Sequence, residues 1–119
     1  MGAIARGSWV AIIHRGDIVI CALSGDYGKP RPAVVVQSNL FSPTHASITV
    51  CPVTSHTVDA PLFRLPLPAN SKTGLKKASQ IMADKMVAIR SDRISKKIGA
   101  LNAKQQTSLD KALKLWLEL

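Results

Sequence analysis

Arg31 stands between Pro30 and Pro32 in GKPRPAVVVQ (residues 28–37), directly ahead of a short apolar run rich in β-branched residues. A proline fixes its own φ and biases the residue before it toward extended backbone. The arginine is therefore stiffened on both sides and set at the mouth of a strand. A guanidinium is a planar fork of donors suited to a phosphate. Stiffening it reduces what must be ordered when such an anion arrives. The charge of the whole chain points the same way. Sixteen Lys and Arg stand against seven Asp and Glu, a net charge of +9, which favours a polyanionic partner.

The elements that must position this arginine are mainly strands. Residues 17–23 (DIVICAL), 33–37 (AVVVQ) and 47–53 (SITVCPV) are β-rich and read as strands. Residues 62–68 (LFRLPLP) are extended, and Pro66 assigns them to a sheet edge. Residues 24–32 form a loop by their Gly and Pro content, and residues 38–46 hold one helical turn. Residues 69–77 (ANSKTGLKK) read as a flexible basic loop. Residues 78–89 (ASQIMADKMVAI) fit either a helix or two kinked strands. Residues 91–101 are mixed, with Gly99 as a stop signal. The C-terminus is an amphipathic helix: Asn102 and Gln105 have capping-box spacing, and Leu109, Ala112, Leu113 and Trp116 form its apolar stripe, with Trp116 as a core anchor. Strands first and a helix last predict a mainly β small barrel closed by a helix.

At 119 residues the chain fits one domain. Hydrophobic residues are 46% and aromatics 4%, so aliphatic side chains must build the core. Cys21 and Cys51 lack CxxC spacing and read as buried free thiols. No apolar run approaches the ~18 residues of a membrane span, and residues 9–13 are too short for a signal-peptide core, so a cytoplasmic protein is expected. Asp, His and Cys show no metal-ligand spacing, so neither a metal nor a cofactor is expected.

RGDIV (15–19), GKPRPAVVVQ (28–37), CPVTS (51–55) and ASQIMADKMVAI (78–89) occur in that order, with KKIGAL (96–101) and the helix behind them. Together they resemble the MazF/PemK toxins of type II toxin–antitoxin systems. The resemblance covers about residues 15–119 as one domain and leaves 1–14 as an N-terminal extension, partly disordered. It implies an SH3-like barrel that forms a homodimer. It also implies a metal-independent endoribonuclease that cuts single-stranded mRNA and is held inactive by an acidic antitoxin.

Such cleavage uses the neighbouring 2′-OH as nucleophile and needs a base, a cation for the phosphoryl charge and an acid for the leaving 5′-oxygen. The resemblance puts a catalytic arginine at Arg31 and, in one branch of the family, a threonine that works on the phosphate at Thr54. In the plasmid-borne branch an aspartate at the position of Asp84 resembles the general base, with an arginine as acid where Met82 stands here. Lys85 replaces a common glutamine and offers a cation. Asp26 falls where relatives carry an acidic residue. Ser55 matches the plasmid-borne branch as an RNA contact. Tyr27 borders the site and can stack on a base, His56 adjoins Thr54 and can shuttle a proton, and Lys76 and Lys77 can track a phosphate backbone. Two other classes share this barrel. A CcdB-like toxin binds DNA gyrase through its terminal helix and is not an enzyme. A non-catalytic nucleic-acid-binding module keeps only the barrel and the charge.

Overall fold

The computed structural model describes residues 12–23 and 28–119. Within them seven strands form an antiparallel sheet: β1 (Asp17–Ala22), β2 (Pro30–Val35), β3 (Ser47–Thr54), β4 (Arg64–Leu67), β5 (Ser79–Met82), β6 (Val87–Arg90) and β7 (Ile94–Ala100). Their order is β4-β5-β3-β2-β1-β7, with β6 beside β3. Helix α1 (Ala103–Leu117) closes the chain. The fold is mainly β with a C-terminal helix, as the sequence pattern implies.

Both faces of the central strands are buried. Ile18, Val34, Cys51 and Val53 join Leu109, Ala112 and Leu113 of α1 in one core. Val19, Ala33, Val35, Ile48 and Val50 build a second core with Ile89 and Ile94 on the other face. This is why residues 33–36 are continuously apolar rather than alternating. Cys21 and Cys51 are free and buried. Burial pushes the Cys21 thiol up to about 11 and that of Cys51 to about 12, so neither is a nucleophile near neutral pH.

Four expectations need correction. Pro30–Pro32 belong to β2 rather than to the loop, paired along β1 through Ala22↔Pro30 and Ile20↔Pro32. Gly99 does not end an element; it lies inside β7, where a Cβ would collide with the Lys72 oxygen and the Thr73 backbone. The 69–77 segment is not a free loop. Asn70 Oδ1 accepts from the amides of Lys72 and Thr73 at 2.9 Å each, and Thr73, 1% exposed, donates its hydroxyl to the Pro68 oxygen at 2.7 Å. Ala100 N then donates to Lys72 O and fastens the segment to β7. Trp116 is half exposed instead of anchored in the core: the buried stripe of α1 is Leu109, Ala112 and Leu113, and the Trp116 ring rests on Phe63 at 5.4 Å between centroids.

Between the two alternatives for residues 78–89 the fold selects two strands, joined by a 3₁₀ turn at Ala83–Lys85. The edge position of β4 follows from Pro66 as expected. The capping box is formed: Asn102 Oδ1 accepts from Gln105 N at 2.7 Å, and Gln105 Oε1 accepts from Asn102 N at 2.9 Å. Asn102→Ala should therefore lower stability by about 1 kcal/mol, seen as a shifted denaturation midpoint with an unchanged slope.

Candidate active site

The register of β2 on β3 decides where the site opens. Val36 N donates to Thr49 O. In an antiparallel ladder such bonded pairs recur at every second residue, so Val34 opposite Cys51 follows and Pro32 opposite Val53 would come next. Pro32 has no N–H. Pairing between the two strands stops at Ala33↔Pro52. Beyond it β2 stays with β1 as far as Pro30, and β3 stays with β5 as far as Thr54. Carried two residues past its end, the same register sets Arg31 opposite Thr54.

A cavity of about 480 Å³ lies where the strands part. Arg31, Thr54, Ser55, His56, Lys76 and Lys77 all line it, so six of the residues singled out from the sequence come together. Pro32, Val53, Leu75 and Met82 give it an apolar wall, and none of the described residues lining it is a carboxylate. Thr54 Oγ1 accepts from His56 N at 3.0 Å, which ties the hydroxyl to the turn through an acceptor lone pair. Its own proton meets no acceptor among the described residues and is available to a ligand. Lys76 and Lys77 reach the rim on the segment pinned to β7. Gly74 makes the bend before them at φ +71°, its Cα packed against the Ile98 carbonyl. Ser79 Oγ donates to Lys77 O at 2.8 Å and fixes that end.

Other expected residues do not join them. Asp84 and Lys85 sit on the 3₁₀ turn outside the cavity lining. The Asp84 carboxylate is closed by a two-pronged pair with Arg64, Nε to Oδ1 at 2.8 Å and Nη2 to Oδ2 at 3.1 Å. Both side chains are largely buried. Arg64 lies opposite Met82 in the ladder, and only the fold brings it to Asp84, twenty residues later in the sequence. The hydrogen bonds from Arg64 hold the Asp84 carboxyl below its usual range, the opposite of what a general base needs. Asp26 and Tyr27 lie outside the described residues. Among the described residues no group of three or more His, Cys, Asp or Glu is placed to hold a metal ion, and no helix is long and apolar enough to cross a membrane. The cavity walls Val53 and Leu75 were not legible as site residues, since in sequence each reads as ordinary core or loop, whereas Met82 lines the cavity at the position where the resemblance puts an acid.

Comparison with known proteins gives a consistent family. The family description "PemK-like, MazF-like toxin of type II toxin-antitoxin system" matches residues 14–117. A protein of Mycolicibacterium smegmatis described as a probable endoribonuclease MazF is 37% identical over 106 residues, covering 88% of this chain and 96% of its own. The solved Mycobacterium tuberculosis toxin MazF-mt6 superposes with a TM-score of 0.75 at 25% identity, over 87% of this chain and 97% of its own. A MazE–MazF structure from Deinococcus radiodurans shares the fold at a TM-score of 0.74 and 22% identity, over 90% and 96% of the two chains.

Because folding lowers the Asp84 pKa, its pair with Arg64 stabilises fully above the unfolded value near pH 4. That contribution is lost as pH falls through the lower folded value. Asp84→Asn should cost ~3 kcal/mol at pH 7 by leaving Arg64 uncompensated. The gap to wild type should close below about pH 4 in urea titrations. A gap that stays constant with pH would show that the pair does not carry the effect.

Proposed function

This chain belongs to the PemK-like, MazF-like toxin family of type II toxin–antitoxin systems, and on that premise we propose that it is an endoribonuclease cutting single-stranded RNA in the cavity between β2 and β3. The observation that carries the reading is that Arg31 and Thr54 line one cavity, just past the point where β2–β3 pairing stops at Ala33↔Pro52, together with two lysines and no described carboxylate. The gyrase-binding alternative is not favoured, since the relatives matched here are MazF proteins.

The reaction needs no metal. The 2′-oxygen of the nucleotide on the 5′ side attacks phosphorus as its proton leaves for a base. The O2′–P bond forms, the P–O5′ bond breaks, and the departing O5′ takes up a proton. Products are a 2′,3′-cyclic phosphate and a 5′-OH. Arg31 and the Thr54 hydroxyl donate to the non-bridging oxygens, where charge gathers. His56, whose imidazole lines the cavity, exchanges protons at the sugar oxygens in this reading. Ser55, Lys76 and Lys77 hold the flanking backbone. Asp84 is a positioning residue here, tying the β5–β6 turn to β4 through Arg64. Lys85, exposed on that turn, stays outside the chemistry. The active form is a homodimer in the cytoplasm, and an acidic antitoxin segment competes with RNA for the same cations.

Arg31→Ala should keep the fold and lose ~10²–10³ in cleavage rate, the usual cost of one oxyanion donor. Near-wild-type cleavage by the folded variant would sink the site. Wild-type cleavage should survive EDTA and leave 5′-OH ends on a long RNA; 5′-phosphate ends would contradict the 2′-OH route. An antitoxin tail and a fluorescent uncleavable RNA should exclude each other, more weakly as salt rises. Simultaneous binding without mutual weakening would move the inhibitor elsewhere.

A further inference from the structure

A second cavity of about 480 Å³ adjoins the first and shares Pro32, Leu75 and Lys76 with it. Its remaining lining includes Ile20, Pro30, Ser95, Lys96 and Ile98. The sheet register explains its shape. Lys96 is the partner of Ile20, and Ile20 is the partner of Pro32. A single row thus crosses β7, β1 and β2 and ends at the proline that opens the first cavity. Neighbouring Cα atoms in such a row are roughly 5 Å apart, so Lys96 stands about 10 Å from Pro32 along it. Again no described carboxylate lines the space. Ser95 donates its hydroxyl to Ile20 O at 3.1 Å, which fixes the side chain and leaves oxygen lone pairs to accept from a ligand.

The chemistry of this second space is that of a nucleotide held by one face and one charge. Proline and aliphatic side chains form a floor against which a base can lie. Lys76 stands on the shared wall and Lys96 at the far end, one cation for each side of a base. The volume falls within the ~300–1,000 Å³ of small-ligand sites. We infer that this cavity is a subsite for the nucleotide next to the scissile pair, with Lys96 on its phosphate, Ile20, Pro30 and Pro32 beneath its base and Ser95 as an acceptor at its edge. The inference rests on the proposed endoribonuclease reading and extends it: the chain would recognise RNA beyond the bond it cuts, along a row of the sheet instead of a loop.

Two measurements test it. The first is binding of a fluorescein-labelled, random-sequence 2′-O-methyl RNA by anisotropy, which needs no cleavage. Lys96→Ala should weaken binding roughly twofold to fivefold and lower the slope of log affinity against log salt by about 1. Lys111→Ala, an exposed lysine on α1 away from both cavities, should change neither. Binding unaltered by Lys96→Ala overturns the subsite. The second is cleavage of an oligonucleotide carrying a mapped cut site, full length and shortened by one nucleotide at either end. Lys96→Ala should raise KM on the full oligonucleotide without changing kcat, and one of the two truncations should abolish that difference. A KM penalty that persists on both truncated substrates places Lys96 elsewhere and overturns the assignment. If wild type binds the RNA in a Lys96-dependent way yet cuts nothing, the endoribonuclease reading fails while the RNA contact at Lys96 is upheld.

Discussion

The site depends on one missing donor. Pro32 occupies the ladder position whose N–H should bind β3, and without it β2 and β3 part company after Ala33 and Pro52. Each strand stays in register with its other neighbour, so the cleft is bounded by well-paired backbone on both sides. An open gap made by local melting would give mobile walls. This one is made by a covalent feature, and Arg31 and Thr54 inherit the rigidity of the strands that carry them. The same proline is a wall of both cavities.

Four of the described carboxylates are paired away from the cavity. Asp17 is buried and accepts from His14 N and Lys97 Nζ. Asp110 takes Arg15 at 2.7 Å, Asp84 takes Arg64, and Asp92 takes Arg90. Each of these pairs lies away from the lining of the first cavity. These four carboxylates hold turns and the helix in place, while Arg31, Lys76 and Lys77 line the first cavity and Lys76 and Lys96 the second. A net +9 spread evenly would only repel; collected along a cleft, it attracts a chain of phosphates.

Much of this was legible in sequence, for identifiable reasons. Strands β1, β2 and β3 are β-branched runs bounded by breakers, and α1 announces itself by its cap and its stripe. Arg31 was marked by two prolines, and Thr54 by the CPVTS motif that carries the family resemblance. What sequence could not supply was pairing at a distance. Arg64 reaches Asp84 only because β4 folds back on β5, a pairing that no signal near Asp84 in the chain announces. Gly99 was read as a stop because a glycine in a strand looks the same whether it ends the element or makes room for a crossing backbone. The lysines of 69–77 looked mobile because the buried Thr73 hydroxyl, which ties the segment down, is an ordinary threonine until the fold surrounds it.

That anchoring separates the contacts that set the shape of this surface from the charges it presents. The segment bearing Lys76 and Lys77 is fastened by neutral hydrogen bonds from Asn70, Thr73 and Ala100 and by close packing at Gly74 and Gly99. None of these is an ion pair, so salt that screens the lysines from a phosphate does not loosen their mounting. Among the described residues no carboxylate lines the cavity beside them. Affinity can therefore vary widely with ionic strength and with the charge of the ligand while the geometry around Arg31 stays constant. A surface of this kind can exchange one polyanion for another, RNA for an acidic peptide, without refolding between them, because the contacts that define its shape and the contacts that bind are chemically separate.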